Sequence, residues 1–397
     1  MDLGVTLLTG IALCLLVQFV CFLFADADLT LLWATLFGSK PETKLKGLVV
    51  WVTGASSGIG EELAYQLAGC GSRLILSARR VDQLDRVKLH CLERSNLKDK
   101  DILVLPLDLL ERASHEAKMK TAIKHFGNID ILVNNGGRSQ RSLCLETSVD
   151  VYQALMELNF LGTVSLTKQV LPHMTQRGSG SVVTVSSVVG LAGAPLATGY
   201  SASKHALQGF FNSLRTELTE YPRILISTVC PGPVQSQIVQ NAFTEEVGKA
   251  IPTAGDQQHK MVTSRCVRLI LVGIANGTKE MWIAQQPFLL FYYVWQYAPT
   301  WAWFITDVLG RKRVQNFKAG LAHPDMTLQH DNTTSHTARS LCDFLQDRNV
   351  SVLPWPAKSL DLNPIEHVRD LLDWRVRACA IPPRNLGTCW CLGGRVG

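Results

Sequence analysis

A doubly wound α/β fold, with a parallel sheet covered by helices on both faces, is what the sequence predicts for most of this chain. Three observations predict it. Short β-branched apolar runs recur between residues 46 and 321, longer amphipathic stretches separate them, and a glycine-rich turn follows the first run directly. Strands that are apolar almost throughout belong to a parallel sheet buried on both faces. The chain's 397 residues, 47% hydrophobic and 18% charged, supply a large core and exclude wholesale disorder. A net charge of +6 is too mild a basic balance to imply nucleic acid. The eleven cysteines are odd in number and scattered, several in apolar segments, as at Cys14, Cys21 and Cys230. They predict buried free thiols rather than a disulfide framework, and without a C-x-x-C pair no metal site is expected.

The first element, within residues 1–28, is an apolar run from Leu3 to Ala25. As a helix it would extend about 34 Å, enough for a bilayer core of about 30 Å. It reads as a membrane anchor or a signal segment. Ala25-Asp26-Ala27 offers a cleavage site, but no Lys or Arg precedes Lys40. The run also exceeds a signal's apolar region, so a retained anchor is the favoured reading. Next come the strands, at Val49–Thr53, Leu74–Ser77, Ile102–Leu105, Ile129–Val133, Val182–Ser186 and Ile224–Val229. Helices are expected between them, as at Glu61–Ala68 and Leu207–Glu220. A ligand of such a sheet lies at the carboxyl ends of its strands.

Thr53-Gly54-Ala55-Ser56-Ser57-Gly58-Ile59-Gly60 joins the first strand to the first of these helices. This strand-turn-helix context is that of a Rossmann-type dinucleotide site. Gly54 permits the tight turn, Gly58 lets backbone amides approach a pyrophosphate, and Gly60 lets the helix pack closely on the sheet. The second strand ends in Ser77-Ala78-Arg79-Arg80, with no acid to accept the ribose hydroxyls of NAD(H). A guanidinium at Arg79 suits a 2′-phosphate, so NADP(H) is the expected cofactor and NAD(H) the less favoured one. Asp108, after the third strand, is a candidate acceptor for the adenine amino group. Asn134-Asn135-Gly136-Gly137, after the fourth, brings backbone close to the cofactor.

Tyr200 and Lys204 stand as Tyr-Ser-Ala-Ser-Lys, an i, i+4 pair on one helical face. A nearby ammonium lowers a phenol's pKa toward the working range, as acid–base chemistry on a carbonyl or alcohol requires. Ser187 ends the fifth strand thirteen residues earlier, where its hydroxyl can donate to a substrate oxygen. Asn159 lies on the long helix before that strand.

Together these residues resemble the short-chain dehydrogenase/reductases of the classical type. The resemblance covers the glycine motif, the Asn-Asn-x-Gly motif, the Asn–Ser–Tyr–Lys tetrad and Pro231-Gly232, in that family's order. It tightens toward a membrane-associated branch over Trp51–Ser77, Asp101–Asp108 and Gln286–Phe304. It implies that Tyr200 transfers the proton and Ser187 orients the substrate oxygen. Lys204 would hold the nicotinamide ribose and lower the tyrosine pKa, and Asn159 would anchor a relay water. Ser56, Ser57, Ile59, Asn135, Gly136, Pro231, Gly232 and Ser236 would line the cofactor with the other glycines. Two departures are mild: Gly136-Gly137 stands where Ala-Gly is usual, and Ser236 where a threonine is common.

Ten of the chain's 30 aromatics fall between Trp282 and Phe304. They pack as a terminal strand and helix, or form a greasy lid at a membrane interface. The second reading implies a lipophilic substrate; steroids and retinoids are the candidates that the family resemblance adds. That resemblance also implies an endoplasmic-reticulum membrane protein, with the side of the membrane open, and allows a homodimer. Asn276, Asn332 and Asn349 head N-x-Ser/Thr sequons that would be used only in the lumen.

The last element, residues 322–397, breaks the α/β pattern. Gln329-His330-Asp331-Asn332 and Asp361-Leu362-Asn363-Pro364-Ile365-Glu366 resemble the end of a Tc1/mariner transposase. The third carboxylate and the DNA-binding helices of such an enzyme are missing, so a non-functional, disordered fragment is expected and a transposase is not. A catalytically silent cofactor-binding membrane scaffold is the alternative to an enzyme, disfavoured by the intact tetrad. Deleting His323–Gly397 should leave turnover and melting temperature essentially unaltered. Differential scanning fluorimetry of the shortened chain checks this; a fall of many degrees would show that the tail packs on the core.

Overall fold

A computed structural model describes residues 22–249 and 257–319, together with positions 10, 13 and 20. Helix α1 (Leu29–Phe37) and a single turn, α2 (Pro41–Lys44), lead into β1 (Val49–Thr53). The alternation then runs α3 (Gly58–Gly69), β2 (Arg73–Ser77), α4 (Val81–Glu93), β3 (Ile102–Val104), α5 (His115–Phe126) and β4 (Ile131–Asn134). Helix α6 (Val149–Leu155) passes through a π-helical turn, Met156–Leu161, into α7 (Gly162–Arg177). After it come β5 (Gly180–Val185), α8 (Thr198–Glu217), β6 (Ile224–Pro231), α9 (Thr263–Ala275), β7 (Glu280–Ile283), α10 (Phe288–Tyr297) and α11 (Pro299–Lys318).

The seven strands form one parallel sheet in the order β3-β2-β1-β4-β5-β6-β7. Alternation of side chains across each strand divides the core into two layers. Val50 and Val52 face a cluster with Leu63 and Leu67 of α3 and Val267 and Ile270 of α9. Val49 and Trp51 face the opposite cluster, with Leu166 of α7 and Leu207 and Phe211 of α8. The strand order reverses between β1 and β4, and the crevice at their carboxyl ends is where such a sheet receives a ligand.

The six expected strands are all present, with ends that differ by up to two residues. A seventh, β7, adds to the edge beside β6. Only alternate residues of its Glu-Met-Trp-Ile sequence are buried, the half-covered pattern of an edge. The expected Leu207–Glu220 segment is the second half of one helix that starts at Thr198, carries the Tyr200–Lys204 pair and ends at Glu217.

The boundary expected at residue 46 is too late. Ala27 and Leu31 are fully buried in the same cluster as Val50 and Leu63. Asp28 caps α1 through Leu31 N–H at 3.0 Å and accepts from Trp282 N–H of β7 at 2.7 Å. Asp26 makes two hydrogen bonds to Arg265, at 2.7 and 3.0 Å. The Ala25-Asp26-Ala27 site is therefore woven into the fold rather than displayed for cleavage. Most of the apolar run Leu3–Ala25, and the tail 322–397, lie outside the described residues. No helix among the described residues is long and apolar enough to cross a membrane. Of the five described cysteines, Cys70, Cys91, Cys230 and Cys266 are buried free thiols and Cys144 is exposed.

Candidate active site

The glycine loop is built by two close approaches. Gly54 has a φ of +65°, and a Cβ there would lie 2.9 Å from the Gly136 Cα. A Cβ on Gly60 would lie 2.2 Å from the Gly54 carbonyl oxygen and 2.6 Å from Asn135 Nδ2. The start of α3 thus presses on the turn that precedes it, as a dinucleotide cradle requires. Thr53 ties this turn to the end of β4: its Oγ1 donates to Val133 O at 3.2 Å and accepts from the N–H groups of Asn135 and Gly136 at 2.9 and 3.1 Å. Asn135 Nδ2 returns bonds to the carbonyls of Thr53 and Gly54 at 3.1 and 3.3 Å. Ser57 caps α3 in extended backbone without a bond from its own side chain. Gly58 faces Ser236, whose Cβ would be 3.2 Å from a Cβ at that glycine. An alanine at Gly136 would meet only the flexible Leu109 Cδ1, at 2.7 Å, so the unusual glycine is a mild departure.

At the end of β2 the two arginines divide their tasks. Both are exposed, and Arg80 Nη2 donates to Ser56 Oγ at 3.3 Å. Burial, with Arg79's charge second, lowers the pKa of Arg138, so the loops after β2 and β4 bring two guanidiniums into one region. Asp108 Oδ1 accepts from Leu110 N–H at 3.0 Å and so steadies its own turn.

A cleft of about 200 Å³ opens at the carboxyl ends of the strands. It brings together Ile59, Asn135, Ser187, Tyr200, Lys204, Pro231, Gly232 and Ser236. Arg79 and Asp108 stand outside its walls, on the loops after β2 and β3. Asn159 sits behind it on the π turn: its Oδ1 accepts from Arg138 N–H at 2.9 Å, and its Nδ2 donates to Arg138 O and Ser203 Oγ at 2.9 and 3.0 Å. A Cβ on Gly137 would come within 2.9 Å of Asn159 Oδ1 and 3.8 Å of Lys204 Nζ, which shows how closely these two groups converge.

Lys204 Nζ donates to Val185 O at 2.8 Å and lies 5.7 Å from the centre of the Tyr200 ring. Burial lowers this ammonium's pKa to about 8. Burial raises the Tyr200 phenol to about 12, against opposing pulls from a hydrogen bond with Ser187 and from the charge of Arg141. The expected lowering of the tyrosine pKa by Lys204 is therefore not what this structure displays. Desolvation of the phenol outweighs it, and the cation acting on the hydroxyl is Arg141. Ser187 Oγ also donates to Pro231 O at 3.2 Å and accepts from Val189 N–H at 3.3 Å.

Three contributors were not read from sequence. Gln140, fully buried, accepts with Oε1 from Gly199 and Tyr200 N–H at 2.7 and 3.3 Å, capping the tyrosine helix from the loop after β4. Arg141 and Arg313 line the cleft. Nothing local marks these residues, because the fold alone brings residues 59 or more positions apart into contact. The aromatic segment divides its work as well. Phe288, Phe291 and Tyr292 wall the cleft, whereas Tyr297, Trp301, Trp303 and Phe304 are exposed. Asn276 is engaged: its side chain bonds Ser39 N–H at 2.7 Å and Ser39 O at 3.0 Å, so a glycan there would open the turn after α1.

A family model described as short chain dehydrogenase matches residues 48–247. "Dehydrogenase/reductase SDR family member 7" of Homo sapiens is 64% identical over 309 residues, 78% of this chain and 91% of that protein. Its counterpart in Mus musculus is 60% identical over 324 residues, 81% of this chain and 96% of that protein. Among solved structures, a short chain dehydrogenase/reductase from Burkholderia phymatum in complex with NAD superimposes with a TM-score of 0.56 at 21% identity. The match covers 72% of this chain and 99% of that one. An alcohol dehydrogenase from Thermococcus sibiricus complexed with 5-hydroxy-NADP gives 0.53 at 23% identity, covering 61% and 97%.

Proposed function

The chain belongs to the short-chain dehydrogenase family of oxidoreductases, and from that premise we propose a membrane-associated, NADP(H)-dependent enzyme that interconverts lipophilic carbonyls and alcohols. The observation that carries this reading is the convergence of Ser187, Tyr200 and Lys204 on one cleft whose far wall is aromatic.

The residues present fit a nicotinamide dinucleotide. The cradle at Gly54 and Gly60 has no room for a Cβ, and Ser57 leaves the start of α3 to an anion. Gly58, Ile59, Asn135, Gly136, Pro231, Gly232 and Ser236 would flank the cofactor, and Lys204 would hold its ribose. When bound, the cofactor supplies or accepts the hydride. Ser187 donates a hydrogen bond to the substrate oxygen and holds it beside Tyr200. The Tyr200 hydroxyl gives its proton to that oxygen in reduction and takes it back in oxidation. A phenol held near 12 stays protonated at neutral pH, which suits the donor's role in reduction. Asn159 keeps the loop at Arg138 and the tyrosine helix in register through its bonds to Arg138 and Ser203.

Preference for NADP(H) is supported by Arg79 and by Arg80 on Ser56, with no acid at the end of β2. Arg79→Asp should shift the ratio of catalytic efficiencies toward NADH, since it removes a phosphate partner and supplies a ribose acceptor. Steady-state kinetics with both cofactors checks it, and an unchanged ratio would assign phosphate recognition elsewhere.

Membrane association is supported by exposed apolar side chains, Trp33 and Phe37 on α1 and Trp301 and Phe304 on α11. Phe22, near the end of the expected anchor, packs edge-on against Tyr293 at 5.5 Å. The endoplasmic-reticulum membrane, and steroids, retinoids or xenobiotic carbonyls as substrates, follow as the working assignment. NADPH oxidation by the full-length chain in lipid nanodiscs, against a panel of such carbonyls, tests it. Absence of turnover with every member would overturn the enzymatic reading in favour of a silent scaffold.

A further inference from the structure

Tyr200 is the third residue of α8, so the start of that helix fixes where its hydroxyl lies. The start does not hold itself. Ala197, at the cap position, has no side-chain oxygen to meet the N–H groups of the first turn. Leu196, just before it, has a φ of +67°, in the left-handed region that residues other than glycine seldom enter. Such a residue persists only where its surroundings hold it.

The holding groups come from the loop after β4. Gln140 Oε1 accepts from Gly199 and Tyr200 N–H at 2.7 and 3.3 Å, the two groups that a capping serine or aspartate serves in an ordinary helix. Ser142 N–H donates to Leu196 O at 3.1 Å, so one short stretch grips both sides of the cap. A Cβ on Gly199 would lie 2.5 Å from Tyr152 Cδ1 of α6, which leaves the helix start no room on that side. The Gln140 amide has one possible orientation. Its oxygen faces two donors, while its Nε2 donates to Ser142 Oγ at 3.0 Å and Thr147 Oγ1 at 3.4 Å. Ser139 and Arg141 line the cleft, but Gln140 between them does not, and it is fully buried.

The same stretch is braced from its other edge. Phe243 N–H donates to Ser139 O at 2.8 Å, and Arg141 N–H donates to Phe243 O at 2.8 Å. Ser142 Oγ donates to Thr244 O at 3.2 Å, and the Phe243 side chain is buried against Val151 and Leu155 of α6. Gln140 thus stands between the segment after β6 and the tyrosine helix. Ser187, at the far end of the loop that leads to Tyr200, is tied separately, to Pro231 O.

Resting on the oxidoreductase reading above, we propose that Gln140 is a positioning residue for the proton transfer: its amide oxygen sets the height of Tyr200, so that the hydroxyl meets Ser187 and the substrate oxygen. Proton transfer needs the two oxygens within hydrogen-bond reach, and a misplacement of about 1 Å costs about 10²-fold in rate.

The test uses the full chain in phosphatidylcholine nanodiscs with NADPH and 2-naphthaldehyde. Gln140→Met matches the side chain's length without its acceptor or donor, and should lower the single-turnover rate by about 10–10²-fold. KM for the aldehyde and the affinity for NADPH should stay within about threefold, because Gln140 does not line the cleft. Gln140→Glu keeps an acceptor for the two N–H groups, and the Ser142 and Thr147 hydroxyls can turn to donate to it, so it should keep most of the rate. Beside Tyr200→Phe, Gln140→Met should cost little further rate, since the hydroxyl it positions is gone. Three results would each overturn the proposal: a Gln140→Met rate within a few fold of the parent, a loss that Gln140→Glu shares in full, or a loss equally large beside Tyr200→Phe. Melting curves check that each variant is folded; should Gln140→Met not be, Gln140→Asn, too short to reach both N–H groups, replaces it with the same expectations. Should the parent chain leave the aldehyde unreduced, the oxidoreductase reading fails for it, and hydrogen exchange decides the placement of Tyr200 alone. The Gly199 and Tyr200 amides should exchange at least about tenfold faster in Gln140→Met than in the parent; equal exchange overturns the clamp.

Discussion

Tyr200→Phe is expected to lower turnover by about 10²–10⁴-fold, the usual worth of a positioned general acid, with NADPH affinity nearly unchanged. The ring stays in place, because Tyr200 is buried and its helix is held at the N-terminus by Gln140. Only the hydroxyl is lost, and with it the hydrogen bond to Ser187 that opposes the effect of burial on the phenol. The glycine cradle is untouched, and Lys204 keeps its bond to Val185 O. Fluorescence titration with NADPH, beside single-turnover reduction of an aldehyde, separates the two effects. Activity within a few fold of the parent chain would remove Tyr200 from the proton-transfer step.

The second large effect is expected of Gly60→Ala. The added methyl would sit 2.2 Å from the Gly54 carbonyl oxygen and 2.8 Å from its carbon, both backbone atoms of the turn. Neither can swing aside as a side chain does, so α3 must lift from β1 or the turn must deform. Overpacking of this kind costs about 1–3 kcal/mol, and each kcal/mol moves the melting temperature by about 2–4 °C in a domain of 150–250 residues. Because the deformed turn is also the proposed pyrophosphate cradle, NADPH affinity should fall with stability. Gly69→Ala, on the same helix, is the control. Nothing lies within 4 Å of its added methyl, and helix propensity alone makes it stabilising by about 0.8–1 kcal/mol in a helix interior, less near an end. Thermal melts and cofactor titrations of both variants decide the matter. Equal behaviour would show that the cradle tolerates a Cβ.

The contrast between these glycines marks how far the sequence could be read. The spacing Gly54, Gly58, Gly60 announced a cradle, because close approach of backbone to backbone needs residues without side chains wherever it occurs. The motif assigns close packing to Gly60 and no role to Gly69, and the folded chain supplies the distances behind that difference. Likewise, Ser77-Ala78-Arg79-Arg80 announced a cationic end to β2, but only the folded chain put Arg80 on Ser56. Strand β7 is hard to read from sequence because an edge strand buries one face, and its four residues lack the continuous apolar run of the strands inside the sheet. The Tyr200–Lys204 spacing places this stretch on a helix, but the start of α8 at Thr198 is not legible locally, because its serines and glycine are weak helix formers. Gln140 supplies the missing start from 59 residues away.

Local pattern thus determined the parallel α/β class, the alternation of strands and helices along the chain, the glycine turn and the Tyr200–Lys204 pair, since each depends on neighbours within a few residues. Tertiary structure decided the rest. It set the depth at which Tyr200 lies and hence the rise of its pKa, and it drew Ala27 and Leu31 into the core ahead of β1. It split the aromatics between a cleft wall and an exposed face, and it gathered Arg141, Lys260 and Arg313 from distant segments onto one cleft. Burial, and the electrostatics that burial governs, depend on which segments pack together, and that is a property of contacts between residues far apart in the chain.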